Sequence, residues 1–256
     1  PAALMAGDAW RLAWMGFAVF ATVATIWNAV LMPTGSYAHG SPGGAPTRLG
    51  LRWLLGPRSV RVFAAAGLFG IATAVYWTFA VDLLVRAGGM PDAWSRVFWT
   101  LIGAFGLIGG AAGDLTRRQG LRRTFRTALV LISGAVLALA IAPGDAMIGL
   151  TSGVVFGGTF IMITGLFGIW SVHLFVDRPS AGFGATFFLI SAGQLVGPTL
   201  AGVLAGWLGL RTVFVLAAIL CGVTIFLGPR RDIFAMGENQ ARGASTLSRA
   251  ETAHSR

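Results

Sequence analysis

Apolar residues in this 256-residue chain do not alternate with polar ones but come in long blocks, with the polar residues gathered between them. Seven blocks can be drawn, at 10–32, 59–85, 95–113, 124–142, 146–172, 181–207 and 210–228. A run of about 20 apolar residues is long enough to cross the hydrocarbon core as a helix. Lipid offers no partner to open backbone groups, so only helices and closed barrels span it, and the two-residue alternation of barrel strands is missing here. The pattern predicts an all-α membrane protein with seven spans.

The segments between blocks are uneven. After the first span, residues 33–58 (PTGSYAHGSPGGAPTRLGLRWLLGPR) are rich in Gly, Pro and Ser and read as a flexible connection between two bundles. The stretch from Gly110 to Arg123 (GAAGDLTRRQGLRR) lies between the third and fourth spans, and with Arg126 just beyond it reads as a short basic cytoplasmic loop. Beyond Gly228 the chain turns polar and reads as a disordered cytoplasmic tail over 229–256.

Composition agrees with the pattern. With 55% hydrophobic residues, 11% charged residues and a mean hydropathy of +0.76, there is too little polar surface to cover a soluble globule of this length. A net charge of +10 would point to nucleic acid if it formed one face. Here the arginines cluster between spans, which makes the lipid bilayer the expected partner and nucleic acid not. Fifteen arginines fall on one side of the seven spans and four on the other. Cytoplasmic segments are enriched in such residues, so the amino end is expected outside and the carboxyl end in the cytoplasm of an inner (plasma) membrane.

The missing residue types narrow the chemistry. The chain has no lysine, which excludes an intramembrane Schiff base and a lysine-bearing phosphate loop. Cys221 is the single cysteine, and three scattered histidines give no metal-ligand spacing, so neither metal nor cofactor is expected. No Ser-His-acid or other polar catalytic cluster appears, which argues against an enzyme. The chain opens at Pro1 without a signal-peptide pattern and reads as a piece of a longer protein.

The second half echoes the first. LIGGAAG at 107–113 recurs as LVGPTLAG at 195–202, and GLRRTFRTALVL at 120–131 recurs as GLRTVFVLAAIL at 209–220, an offset of 88 or 89 residues. Units of three spans separated by an odd number of crossings face opposite ways, the inverted-repeat plan of many secondary transporters.

Two patches then carry a family resemblance. Gly110, Asp114, Gly120, Arg122 and Arg123 resemble the cytoplasmic loop motif of the major facilitator superfamily: a glycine, an acid four residues on, then a glycine followed by bases. Gly193, Gln194, Gly197 and Pro198, in GQLVGP, resemble the penultimate-helix signature of its bacterial YbfB/YjiJ-like group. One spacing departs from the family's, because three residues before Gly120 stands Arg117 and not the acid. The resemblance implies a six-helix bundle of two inverted three-helix repeats at 59–228, the second half of a twelve-helix transporter. Residues 1–32 would be the preceding transmembrane helix, similar to helix six, and 33–58 the central cytoplasmic linker. It further implies a missing amino-terminal half as partner, a small-molecule substrate of unknown identity, and proton coupling.

Several residues are candidates for that function, each with a plainer role beside it. Asp114 suits a cytoplasmic gate with Arg122 and Arg123, or a local pair with Arg117 or Arg118. Asp82 is the one acid written inside an apolar run and a candidate for proton coupling, yet it stands four residues from Arg86, an ion-pair spacing. Tyr76, Trp77 and Thr78 are candidate substrate-binding residues, or packing residues whose polar atoms find partners. Gln194 is expected to face the bundle or a cavity, with Gly193, Gly197 and Pro198 making a helix kink that serves as a gate or merely packs. Thr159 and Thr164 either present hydroxyls to a cavity or bond their own backbone. Gly106 and Gly110, Gly109 and Gly113, the Gly149, Gly153 and Gly157 series, Gly193 and Gly197, and Gly202 and Gly206 sit four apart, the spacing of close helix contact. The function expected is secondary-active transport of small solutes by alternating access. The competing expectation is a membrane structural or assembly subunit that transports nothing.

Overall fold

A computed structural model describes residues 9–31, 56–176 and 178–230. Most of the expected linker (33–58) and tail (229–256) lies outside the described residues, at 33–55 and 231–256, while Pro57 and Arg58, placed in the linker, already belong to the next helix. Seven described helices are long and apolar enough to cross a membrane. Helix α1 (Ala9–Leu31) belongs to one unit, residues 1–50, and the remaining helices to another, 51–256. Side chains of α1 are exposed along almost its whole length, and its polar groups turn inward on its own backbone: Thr22 and Thr25 donate to the carbonyls of Ala18 and Ala21, and Asn28 to that of Ala24. Such a helix asks nothing of water.

The second unit contains α2 (Pro57–Asp82), α3 (Ala93–Gly106), α4 (Ala112–Gln119), α5 (Leu121–Ile141), α6 (Ala146–Leu174), α7 (Pro179–Leu208) and α8 (Leu210–Leu227). Helices α2 and α7 open on proline, whose missing N–H costs nothing in a first turn. Asp145 caps α6, its carboxylate accepting the backbone N–H groups of Met147 at 2.9 Å and Ile148 at 3.1 Å.

Two expectations need correction. The third span, continuous from Ala93 to Gln119, is not α-helical throughout: α3 passes through a 3₁₀ turn at Leu107–Ala111 into α4. That turn holds Gly109, where a Cβ would stand 2.5 Å from the Cβ of Ile161 and 2.6 Å from the backbone nitrogen of Met162 on α6. Nor is Gly110 to Arg123 a loop. Residues 112–119 are helical, α5 begins at Leu121, and only Gly120 stands between the two. One residue suffices because φ 82° and ψ 149° are open to glycine and closed to residues with a side chain.

Gly209 makes the same joint between α7 and α8, with φ 80° and ψ 152°. The hydrogen bonds match as well. Each glycine N–H donates to a carbonyl four residues back (Thr116, Ala205), and each glycine carbonyl accepts from an N–H four residues on (Thr124, Val213). These are the two glycines that open the repeated sequence. Packing follows the same symmetry: α2 lies mainly against α7 and α8, α6 mainly against the α3–α4 span and α5, and α5 and α8 against each other. Exchanging the first three spans of the unit for the last three leaves this scheme unchanged.

The two heaviest crossings are built on glycine. Where α2 meets α7, a Cβ on Gly70 would collide with the Ile190 carbonyl, and one on Gly197 would lie 2.7 Å from the Ala74 Cβ. Where α3 meets α6, a Cβ on Gly157 would lie 2.9 Å from the Ile102 Cα. Of the glycines spaced at four, Gly106, Gly109, Gly149, Gly153, Gly157, Gly193 and Gly197 face neighbouring helices, whereas Gly110, Gly202 and Gly206 face open space.

Gly157→Val is therefore expected to destabilise the bundle by about 1–3 kcal/mol through overpacking. Gly202→Ala should change stability by less than about 0.5 kcal/mol. Denaturant unfolding of the purified chain in mixed micelles distinguishes the two.

Candidate functional site

Adjacent residues of α2 have opposite fates. Tyr76 is fully buried and stacks on Phe156 of α6, ring centroids 3.8 Å apart and planes 12° from parallel. Ser152 of α6 donates its one hydroxyl proton to the Ala135 carbonyl of α5 at 2.7 Å, so in the 2.7 Å bond between Tyr76 and Ser152 the phenol must be the donor. The relay Tyr76 to Ser152 to Ala135 ties three helices together inside the core. Tyr76 thus lies in the core with its hydroxyl bonded to Ser152.

Trp77, half-buried, is turned the other way. It stacks on Trp99 of α3 at 5.5 Å and 9°, and meets Phe160 and Phe156 of α6 edge-on at 5.2 Å and 5.5 Å. With Ile102, Gly106, Leu107, Phe160 and Ile161 it lines an apolar cavity of about 280 Å³ between α2, the third span and α6. Its indole N–H is buried and has no hydrogen-bond partner. Trp170, Ser133 and Ser171 also hold buried polar atoms without partners, but none of them lines this cavity.

The remaining candidates fall into three groups. Thr159 and Thr164 bond their own helix: Thr159 donates to Val155 at 2.6 Å, with Phe156 at 3.3 Å, and Thr164 to Ile161 at 2.7 Å. Thr78 is exposed and Gln194 half-exposed on α7. Pro198 lies inside α7, where its missing N–H deprives the Gln194 carbonyl of a helical partner. Gly193 and Gly197 hold that stretch of α7 against Gly67, Ile71 and Ala74 of α2.

The acids lie at helix ends. Asp82 pairs with Arg86 at 2.7 Å, beside a π-helical turn at Leu83–Ala87 that finishes the span. Asp114, in the first turn of α4, pairs with Arg117 of the same helix. The motif residues are thus split by the joint: Gly110 faces open space, Asp114 is on α4, Gly120 is the joint, and Arg122 and Arg123 open α5. Among the described residues no group of three or more His, Cys, Asp or Glu is placed to hold a metal ion.

Ser152, Trp99, Phe156 and Phe160 were not singled out in the sequence. A signal for Ser152 was present, since it lies beside Gly153 in the small-residue series of α6 that marks helix contact. The aromatic residues carried none, being indistinguishable from the lipid-facing kind.

Seven membrane-length helices, six of them in paired three-helix units, define a multi-pass membrane protein. The family described as uncharacterised MFS-type transporter YbfB matches residues 1–228, and the chain belongs to it. No curated protein matches the chain.

The buried relay makes a measurable claim. Tyr76→Phe and Ser152→Ala, singly and together, are expected to show a coupling energy of about 1 kcal/mol, within the range found for hydrogen bonds between membrane helices. A double-mutant cycle on unfolding in micelles measures it.

Proposed function

We propose that this transporter moves a small, largely apolar solute by alternating access, with residues 59–228 forming one of two six-helix bundles around a site near mid-membrane. The observation that carries the reading is the internal symmetry of the unit, two three-helix sets joined in the same way at Gly120 and Gly209. That symmetry suits a bundle that rocks as one body against a second. The second bundle, an amino-terminal half on the same polypeptide or one from another chain, supplies the facing wall. Helix α1 corresponds to the last helix before the central linker, and residues 33–58 to that linker.

Substrate contact is assigned to Trp77; Thr78 and Gln194, which do not line its cavity, are kept as separate candidate contacts. The cavity is apolar and aromatic, and Trp77, which lines it, carries a buried donor N–H not spent on the protein. A hydrogen bond to the solute accounts for leaving that group unpaired. Solute moved uphill draws on an ion gradient. We place the bundle in the inner membrane, with the Arg117–Arg126 end in the cytoplasm, on the strength of the arginine excess.

Two measurements test this. In uptake assays of the complete transporter on a panel of organic anions and drugs, Trp77→Phe, which keeps a ring but removes the N–H, should raise KM for the transported solute about tenfold, the value of one hydrogen bond of about 1.4 kcal/mol. An unchanged KM removes Trp77 from the site. Cysteines engineered at 117–123 should resist an impermeant thiol reagent in intact cells and react after permeabilisation. Native Cys221, fully buried, contributes no background. Labelling from outside would reverse the orientation.

A further inference from the structure

The basic end of the bundle contains a second cavity, of about 540 Å³, in which Arg122, Arg123 and Arg126 of α5 converge with Arg230, which follows α8, around Gln119 and Gly120. These four arginines come from two places more than a hundred residues apart in sequence, and no acid lines the cavity among the described residues. None of the four guanidinium groups forms an ion pair or hydrogen bond among the described residues. Asp114, the acid nearest in sequence to the three arginines of α5, is engaged by Arg117, and the first turn of α5 carries no acid. Four like charges around one space at the edge of hydrocarbon repel, and the described residues place no counter-charge among them.

Depth matters as much as charge. At 1.5 Å rise per residue, Arg126 lies about 8 Å along α5 from Leu121, below the start of a helix that spans the membrane. On the same face, four, eleven and fifteen residues further on, Val130, Leu137 and Ile141 are 57%, 37% and 69% exposed. The cavity therefore opens above an unpartnered apolar stripe running into the bilayer.

We propose that this cavity holds the phosphate of an anionic phospholipid, its acyl chain lying along Val130, Leu137 and Ile141. Guanidinium groups bind phosphate oxygens through paired N–H donors, and a lipid phosphate at this depth supplies a counter-charge that the described residues do not. Inorganic phosphate shares the headgroup chemistry but has nothing to lay on the stripe, which is why a lipid is favoured. Arg126 and Arg230 lie outside the gate motif, so the site does not depend on the gate reading.

The test is native mass spectrometry of the full chain in neutral detergent, titrated with phosphatidylglycerol, with phosphatidylcholine, or with inorganic phosphate. Phosphatidylglycerol should be retained at concentrations at least tenfold lower than phosphatidylcholine, and inorganic phosphate should not displace it at equal concentration. Arg126→Gln should weaken phosphatidylglycerol retention about fivefold, and the Arg123→Gln, Arg126→Gln, Arg230→Gln combination about a hundredfold. Arg211→Gln, at the opposite end of the bundle, should leave it unchanged. Equal retention of the two lipids overturns the proposal, as does displacement by inorganic phosphate at equal concentration, which would make the site one for a soluble anion. The comparison of lipids on the unmodified chain stands if a variant fails to fold.

Discussion

Helices already inside a bilayer gain nothing from leaving water when they meet, so their association rests on how closely their backbones can approach. In this protein that approach is set at two glycine-based crossings, α2 on α7 and α3 on α6, where a single added Cβ would strike the neighbouring helix. The rest of the bundle is arranged around them. The crossings occupy equivalent places in the two three-helix sets. The third span gives up its continuous α-helix at Gly109 to follow α6, and the single-glycine joints bring α5 and α8 back beside their predecessors.

Polar groups within such a bundle are either consumed or left over. Thr73, Thr124, Thr159, Thr186 and Thr224 all donate to carbonyls of their own helices, and Tyr76 and Ser152 satisfy each other and α5. Asp145 is used as a cap, and Asp82 and Asp114 are held by arginines one turn away. The N–H groups of Trp77 and Trp170, the hydroxyls of Ser133 and Ser171, and, among the described residues, the arginines at the α4–α5 joint have no such use. An interior that meets nearly all its own hydrogen-bonding needs makes the remainder informative.

Much of the architecture was legible in the chain. The spans, their number and the all-α class follow from block length, and the echo of GLRRTF in GLRTVF marked the two joints that share one backbone conformation. The reading of 110–123 as a loop failed because arginines between apolar runs look like a connection, whereas a helix can carry them past the membrane edge to a one-residue turn. Asp82 illustrates the reverse: its spacing from Arg86 named its partner before any coordinates did. Trp77 and Tyr76 could not be told apart in sequence, since both are aromatic residues with a polar edge at the same depth.

By itself, the sequence determined the solvent of each segment, because lipid demands long apolar runs and closed backbone hydrogen bonding whatever the fold. It also determined the family, through motifs and arrangement. Only the tertiary structure decided which face of each helix meets protein, cavity or lipid. The physical reason is that in a membrane both the inside and the outside of a bundle are apolar, so hydropathy, which separates core from surface in water, has no contrast left with which to separate them here.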